Sequence, residues 1–229
     1  MDGVALMKRT DTKFVIHRTK LNQILKDLEN DYLILEIDGK RLMTYSSEYF
    51  DTENYKFYYD HHHGRKVRAK VRVREYVDSN ISFIEVKQKT NKGQTIKTRI
   101  KVEGQSNLHN TNTFANEILQ QKELLKASII NDFKRITLVS NIAKERVTFD
   151  TDINFNNTSW NDNLVIIELK QERLKRSSPL FQTLKKLQIH PARISKYCLG
   201  MSAEYPQLKV NNFKPIFRNI HKQLTWTSF

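Results

Sequence analysis

Residues 66–76 read KVRAKVRVREY. Taken as a β-strand, the stretch sends Arg68, Lys70, Arg72 and Arg74 to one face and Val67, Ala69, Val71 and Val73 to the other. Like charges two residues apart on a strand sit about 7 Å from each other, so each neighbouring pair repels by roughly 0.6 kcal/mol in water and about 2 kcal/mol at an effective dielectric near 20. Two arrangements offset that repulsion. Either the face is covered by water, or a polyanion lies against it.

The same alternation recurs along the chain. In RTDTKFVIH (9–17), Asp11 and Lys13 oppose Phe14 and Ile16; YLILEID (32–38) and LMTYSSEYFD (42–51) are β-rich and closely spaced. ISFIEVKQK (81–89) gathers Glu85, Lys87 and Lys89 on one face, and TIKTRIKV (95–102) gathers Lys97, Arg99 and Lys101. The separators VDSN (77–80) and NKG (91–93) are hairpin-turn material. FKRITLVS (133–140), ERVTFDTDINF (145–155) and LVIIELK (164–170) extend the series, with Arg146, Thr148, Asp150 and Asp152 expected on one face of the second and Glu168 with Lys170 on one face of the third. Helical signals fill the gaps at 21–30, at about 112–129, and at 177–188, where Ser precedes an early Pro; RISKYCLGM (193–201) is also helical in pattern.

About eight strands and four helices of this kind predict an α+β fold: an eight-stranded antiparallel β-barrel, closed or nearly so, because closure removes the exposed edges of a long sheet. A basic outer face would leave an ordinary apolar centre. A basic inner face would make a wet, charged tunnel, with valine and isoleucine packed outward against helices. The supply of amphipathic helices favours the inside-out arrangement.

Composition sets the outer bounds. The 39 Lys and Arg against 25 Asp and Glu give a formal charge of +14, which calls for an anionic partner. Six Gly, four Pro and the lack of any low-complexity run argue for one compact domain over residues 1–229, ending in a C-terminal helical segment at about 177–229. Cys198 is the single cysteine, which rules out an intramolecular disulfide and fits a reducing compartment. No apolar run reaches membrane-spanning length and no signal-peptide pattern occurs, so the expected location is cytoplasmic.

Glu85 and Glu168 each occur as E-x-K in mid-strand, inside the basic rows. Such carboxylates weaken a surface that only grips phosphates, and they suit one that binds phosphates through Mg²⁺ or Mn²⁺; cross-strand ion pairs account for them equally well. His61, His62 and His63 read as a solvated loop rather than a zinc site, and P-loop and dinucleotide fingerprints do not occur. Only Tyr76 and Phe83 interrupt the basic strands from 66 to 102, so base-stacking nucleic acid recognition is disfavoured.

In order along the chain, RTDTKF, YFDT, KVRVREY, FIEVKQK, the K-T-R-I at 97–100, ERVTFDTD and IIELK resemble the VTC domain of polyphosphate polymerases, in the triphosphate tunnel or CYTH-like superfamily, from about residue 9 to at least 205. The resemblance implies a transferase moving the terminal phosphoryl group of ATP onto inorganic polyphosphate, with ATP, polyphosphate and pyrophosphate as ligands and Mn²⁺ or Mg²⁺ as cofactor. It implies that Lys13, Arg72, Arg74, Lys87, Lys97 and Arg146 grip the reacting phosphates and that Glu168 holds the metal, with Glu85 as a helper. Arg68, Lys70, Lys89, Arg99 and Lys170 would extend the substrate-binding rows, and Arg193 and Lys196 would stand on a C-terminal helix near the tunnel mouth. The wider superfamily opens with E-x-E-x-K, whereas Arg9, Asp11 and Lys13 stand here, which favours one firmly held metal. A triphosphatase and a non-catalytic polyphosphate- or RNA-binding module are the competing expectations; a membrane-protein partner is compatible with all three.

Overall fold

The computed structural model describes residues 10–102 and 108–225, so Arg9 lies outside the described residues. Eight strands follow one another across a single antiparallel sheet: β1 (Thr10–His17), β10 (Leu164–Gln171), β8 (Glu145–Phe155), β7 (Leu125–Ser140), β3 (Met43–Thr52), β4 (Arg68–Tyr76), β5 (Ile81–Lys89) and β6 (Thr95–Val102). Two short strands are added at the margins, β2 (Tyr32–Ile34) on β7 and β9 (Thr158–Ser159) on β8.

The sheet curls but does not close by strand pairing, since β1 and β6 are its two ends. Side chains and a connecting segment bridge the gap instead. Lys87 of β5 lies 3.8 Å from Asp11 of β1. The Ala192 amide donates to the Lys13 carbonyl at 2.7 Å, and Pro191 bridges to Phe14, so residues 191–195 run along the free edge of β1. That edge is thereby covered without a ninth strand in the path.

Which face is charged follows from the three apolar clusters. Outside, Phe14, Ile16, Val147, Phe149, Val165 and Ile167 pack against α1 (Leu21–Asp27) and α4 (Pro179–Lys186). On the other flank, Phe50, Val71 and Val86 pack against α2 (Lys56–His62) and α3 (Leu108–Leu119). The third cluster is inside: α5 (Lys196–Glu204) and α6 (Lys214–Thr225) bring Tyr197, Met201, Ile220 and Leu224 against Val15, Tyr49, Ile129, Phe155 and Ile166 and form the tunnel floor. Each fully buried aliphatic or aromatic side chain contributes roughly 1.5–3 kcal/mol. The inside-out arrangement is the one observed.

Local departures from the sequence expectations have physical causes. The helix expected over 112–129 ends at Leu119, and residues 125–129 open β7. Asn112 fixes the change, accepting from the Leu125 amide at 2.6 Å and donating to the Leu125 carbonyl at 3.1 Å. The three histidines are not a solvated loop: His61 and His62 end α2, and His62 is buried beside Tyr58 and Phe213. Asp152 leaves the inner face, because β8 bulges there with a left-handed backbone (φ 50°) and turns the carboxylate to Arg18 and Lys134. Beyond the bulge the alternation is re-phased, so Ile153 and Phe155 point inward to the floor.

Candidate functional site

Strand register assembles the upper half of the concave face. Arg72 stands opposite Glu85, Glu85 opposite Arg99, Lys70 opposite Lys87 and Lys87 opposite Lys97. Across the sheet, Arg135 pairs with Asp150, Glu168 with Thr148, Lys170 with Arg146, and Lys13 with Glu168. The like-charge rows of the sequence are therefore broken by carboxylates on adjacent strands.

Two buried ion clusters result. Glu85, whose side chain is 2% exposed, accepts from Arg72 Nη2 at 2.6 Å and Nε at 2.8 Å, and from Lys97 Nζ. Arg72 also donates to the Tyr49 hydroxyl at 3.1 Å. Burial alone would raise the Glu85 pKa, but Arg72, Arg74 and Lys97 outweigh it and hold it down at about 2. The second cluster centres on Asp150, 4% exposed, which meets Arg135 through both oxygens and Lys196 Nζ at 2.8 Å. Despite its burial, Arg135 and Lys196 keep Asp150 ionised well below the usual carboxylate range.

Glu168 is placed differently. It pairs with Lys170, and Lys13 and Arg135 add to the field that, against burial, holds it ionised. Asp11 is its diagonal neighbour on β1, and both Lys87 and Lys170 feel the two carboxylates together. Among the described residues no set of three His, Cys, Asp or Glu side chains could enclose a metal. The donor set nonetheless fits Mg²⁺ or Mn²⁺ taken through one or two carboxylates, with phosphate oxygens and water completing the shell. Glu85 fits less well, because Arg72 and Lys97 already occupy its oxygens.

Burial and mutual repulsion depress several of the cations. Burial, then Lys13, Lys87 and Arg72, depress the Lys70 pKa to about 7, while Lys97 and Lys170 are depressed by burial to about 8 in spite of their carboxylate partners. Arg74, 8% exposed, bonds only the Ser47 hydroxyl among the described side chains and lies over Tyr45 and Phe133. Lys70 donates to Ser195 Oγ at 2.8 Å and Lys13 to the Ile194 carbonyl at 3.1 Å, so the start of α5 sits between them.

The remaining expected residues lie at the rim. Arg99 is exposed with its guanidinium 4.5 Å from the Phe83 ring centre, Arg68 donates to the Arg65 carbonyl, and Lys89 is half-buried at the end of β5. Arg146 is exposed at the wall of a cavity at the opposite end. Lys196 opens α5, but Arg193 precedes that helix and is exposed, which corrects its placement on a helix. Arg135 was not among the expected residues. The Lys134–Arg135 dipeptide offers a cation to either face, and only the pairing with Asp150 decides which one enters.

The fold has known counterparts. A Hippeastrum adenylyl cyclase candidate, described as having a dominant triphosphatase activity, superposes with a TM-score of 0.60 at 15% identity, covering 90% of this chain and 99% of that one. A candidate adenylate cyclase of Bacillus halodurans superposes with a TM-score of 0.56 at 13% identity, covering 82% and 94%. At such identities the likeness shows a shared fold. No curated protein matches the sequence. The VTC domain model matches residues 8–205, most of the chain and every strand of the tunnel, and the chain accordingly belongs to the VTC domain family.

Proposed function

We propose that this domain is an ATP-dependent polyphosphate polymerase working inside the tunnel. The observation that carries the proposal is the concave face itself, where Lys13, Lys70, Arg72, Arg74, Lys87, Lys97 and Arg135 surround Glu85, Glu168 and Asp150. Phosphoryl transfer asks the protein mainly for alignment and charge neutralisation, and fixed, desolvated cations supply both without reorganisation. Arg72 is oriented by Glu85 and Tyr49, and Arg135 by Asp150, so each guanidinium is positioned before substrate arrives.

In the proposed reaction, a terminal phosphate oxygen of the growing chain forms a bond to the γ-phosphorus of ATP. The bond from that phosphorus to the bridging oxygen breaks, and ADP leaves with the electron pair. The acceptor is already anionic, so no proton has to be removed. That suits a site whose Glu85, Glu168 and Asp150 are all held ionised far below neutrality, since such weak bases activate water poorly. Glu168, with Asp11 beside it, would hold Mg²⁺ or Mn²⁺, and the ion would supply charge neutralisation at the phosphates. Lys87, Lys97 and Lys170 would spread along the polymer, and Lys196, beside Asp150 at the start of α5, would add its charge from the floor.

The test is incubation of purified protein with ATP and Mn²⁺, following polymer and ADP together. The expected result is long-chain polyphosphate with one ADP formed per phosphoryl group incorporated, lost in Glu168→Ala. Free phosphate without polymer would select a triphosphatase instead. Tight tripolyphosphate binding with no ATP turnover would leave only a binding module.

A further inference from the structure

The two ends of the sheet are finished differently. At one end the free edge of β1 is covered by residues 191–195, where the Ala192 amide donates to the Lys13 carbonyl at 2.7 Å and Pro191 bridges to Phe14. At the other end β6 pairs with β5 from Ser82 and Val102 to Lys89 and Thr95, and its second edge makes no backbone hydrogen bond to any other described segment. It is Lys87 of β5, not a residue of β6, that reaches Asp11 of β1. An uncovered edge carries a row of unpaired N–H and C=O groups, which is a template for one more strand.

The side chains of β6 narrow what that strand can be. On the outer face Ile96 is 51% exposed and Ile100 43%, and neither belongs to any of the three apolar clusters. Aliphatic side chains on an added strand would cover them. On the concave face the row is Lys97, Arg99 and Lys101. Lys97 meets Glu85, whereas Arg99 lies over the Phe83 ring and Lys101 is exposed, and neither of these two has a carboxylate partner among the described residues.

A second copy of this chain does not suit the edge. In an antiparallel pair of two β6 strands that keeps concave face with concave face, cations stand opposite cations, and like charges directly opposite destabilise a sheet. With an acidic strand the same geometry becomes favourable, because carboxylates at alternate positions fall opposite Arg99 and Lys101. The formal charge of +14 also draws an acidic segment toward the chain.

We infer that the free edge of β6 docks an extended segment of a partner protein in which acidic residues alternate with aliphatic ones. The segment adds one more strand, its carboxylates toward Arg99 and Lys101 and its aliphatic side chains over Ile96 and Ile100. Main-chain bonds along the edge supply affinity, and the alternate side chains supply selectivity. This docking is independent of polymer synthesis and of any ligand inside the tunnel.

The experiment titrates the full chain with a fluorescent synthetic peptide of alternating glutamate and valine, followed by anisotropy. Amide hydrogen exchange is read by mass spectrometry on the free and the peptide-saturated protein. One comparison peptide carries lysine in place of glutamate, and another is N-methylated throughout, which keeps the side chains and removes the main-chain donors. The double variant Ile96→Lys with Ile100→Lys removes the apolar strip and adds positive charge; both residues are exposed, and thermal unfolding confirms that the core is intact. The expected result is saturable binding of the glutamate peptide with slowed exchange over residues 95–102 and no binding of the lysine peptide. N-methylation and the double variant should each weaken binding at least about tenfold. Equal binding of the N-methylated peptide, binding by a folded double variant as tight as wild type or tighter, protection confined to other segments, or no binding at all would overturn the inference. So would a free protein that is dimeric by light scattering with residues 95–102 already protected, for a second copy would then be the occupant. Should the double variant fail to fold, the N-methylated peptide on wild type decides alone.

Discussion

Glu85 shows how single residues govern this tunnel. It is the counter-ion of Arg72 and Lys97 in a nearly dry place, so removing its charge leaves buried cations unopposed. Glu85→Gln is expected to lower unfolding stability by about 3 kcal/mol in urea titrations. Saturating tripolyphosphate should return much of that loss, since the polyanion replaces the missing charge; a variant as stable as wild type, or one indifferent to tripolyphosphate, would contradict the assignment. The sequence exposed this residue because EVK repeats the alternation of the basic strands. Arg135 stayed hidden, because its face depends on cross-strand register, and Asp152 was misplaced, because a bulge at that very residue re-phases β8.

At the level of elements, α5 is the part most closely fitted to the tunnel. A Cβ on Gly200 would press into the Phe155 ring and lie 2.6 Å from Ile129 Cδ1, so the helix approaches β7 and β8 as near as a glycine permits. Gly200→Ala should therefore destabilise by about 1–3 kcal/mol, although alanine is the better helix former. Stabilisation in a denaturant titration would show that the floor is looser than described. The strands were readable from period-two patterning. The helix over 112–129 was not, since Leu125, Ser128 and Ile129 keep helical i, i+3, i+4 spacing, whereas the chain turns left-handed at Gln120 (φ 51°) and the Asn112 bonds hold Leu125 at the start of β7. The histidines misled for a related reason, because a polar triplet gives no hint that Tyr58 and Phe213 will bury its middle member.

For the whole molecule, the outward placement of valine and isoleucine was foreseeable from the number of amphipathic helices, whereas the open seam between β1 and β6 was not. Its bridging by Lys87, Asp11 and residues 191–195 is tertiary and leaves no local pattern. The crowded cations also set a pH dependence. Lys70, Lys97 and Lys170 have folded-state values of about 7, 8 and 8, below the ordinary lysine value, so between those values and about 10 the unfolded chain binds more protons than the folded one. Stability of the free protein should thus rise from pH 8 to 10 in thermal scans, and tripolyphosphate, by favouring the charged lysines, should flatten or reverse the slope. A free protein that loses stability over this range would contradict the depressed lysines. No helix among the described residues is long and apolar enough to cross a membrane.

The central claim is that the concave face holds a triphosphate, and a crystal structure of the protein with tripolyphosphate and Mn²⁺ tests it most directly. The account predicts phosphate oxygens within hydrogen-bonding distance of Arg72, Arg74 and Lys97, with Mn²⁺ on Glu168. Tripolyphosphate bound only on the outer surface, with the Glu85 and Asp150 clusters undisturbed and the tunnel filled by water, would contradict it.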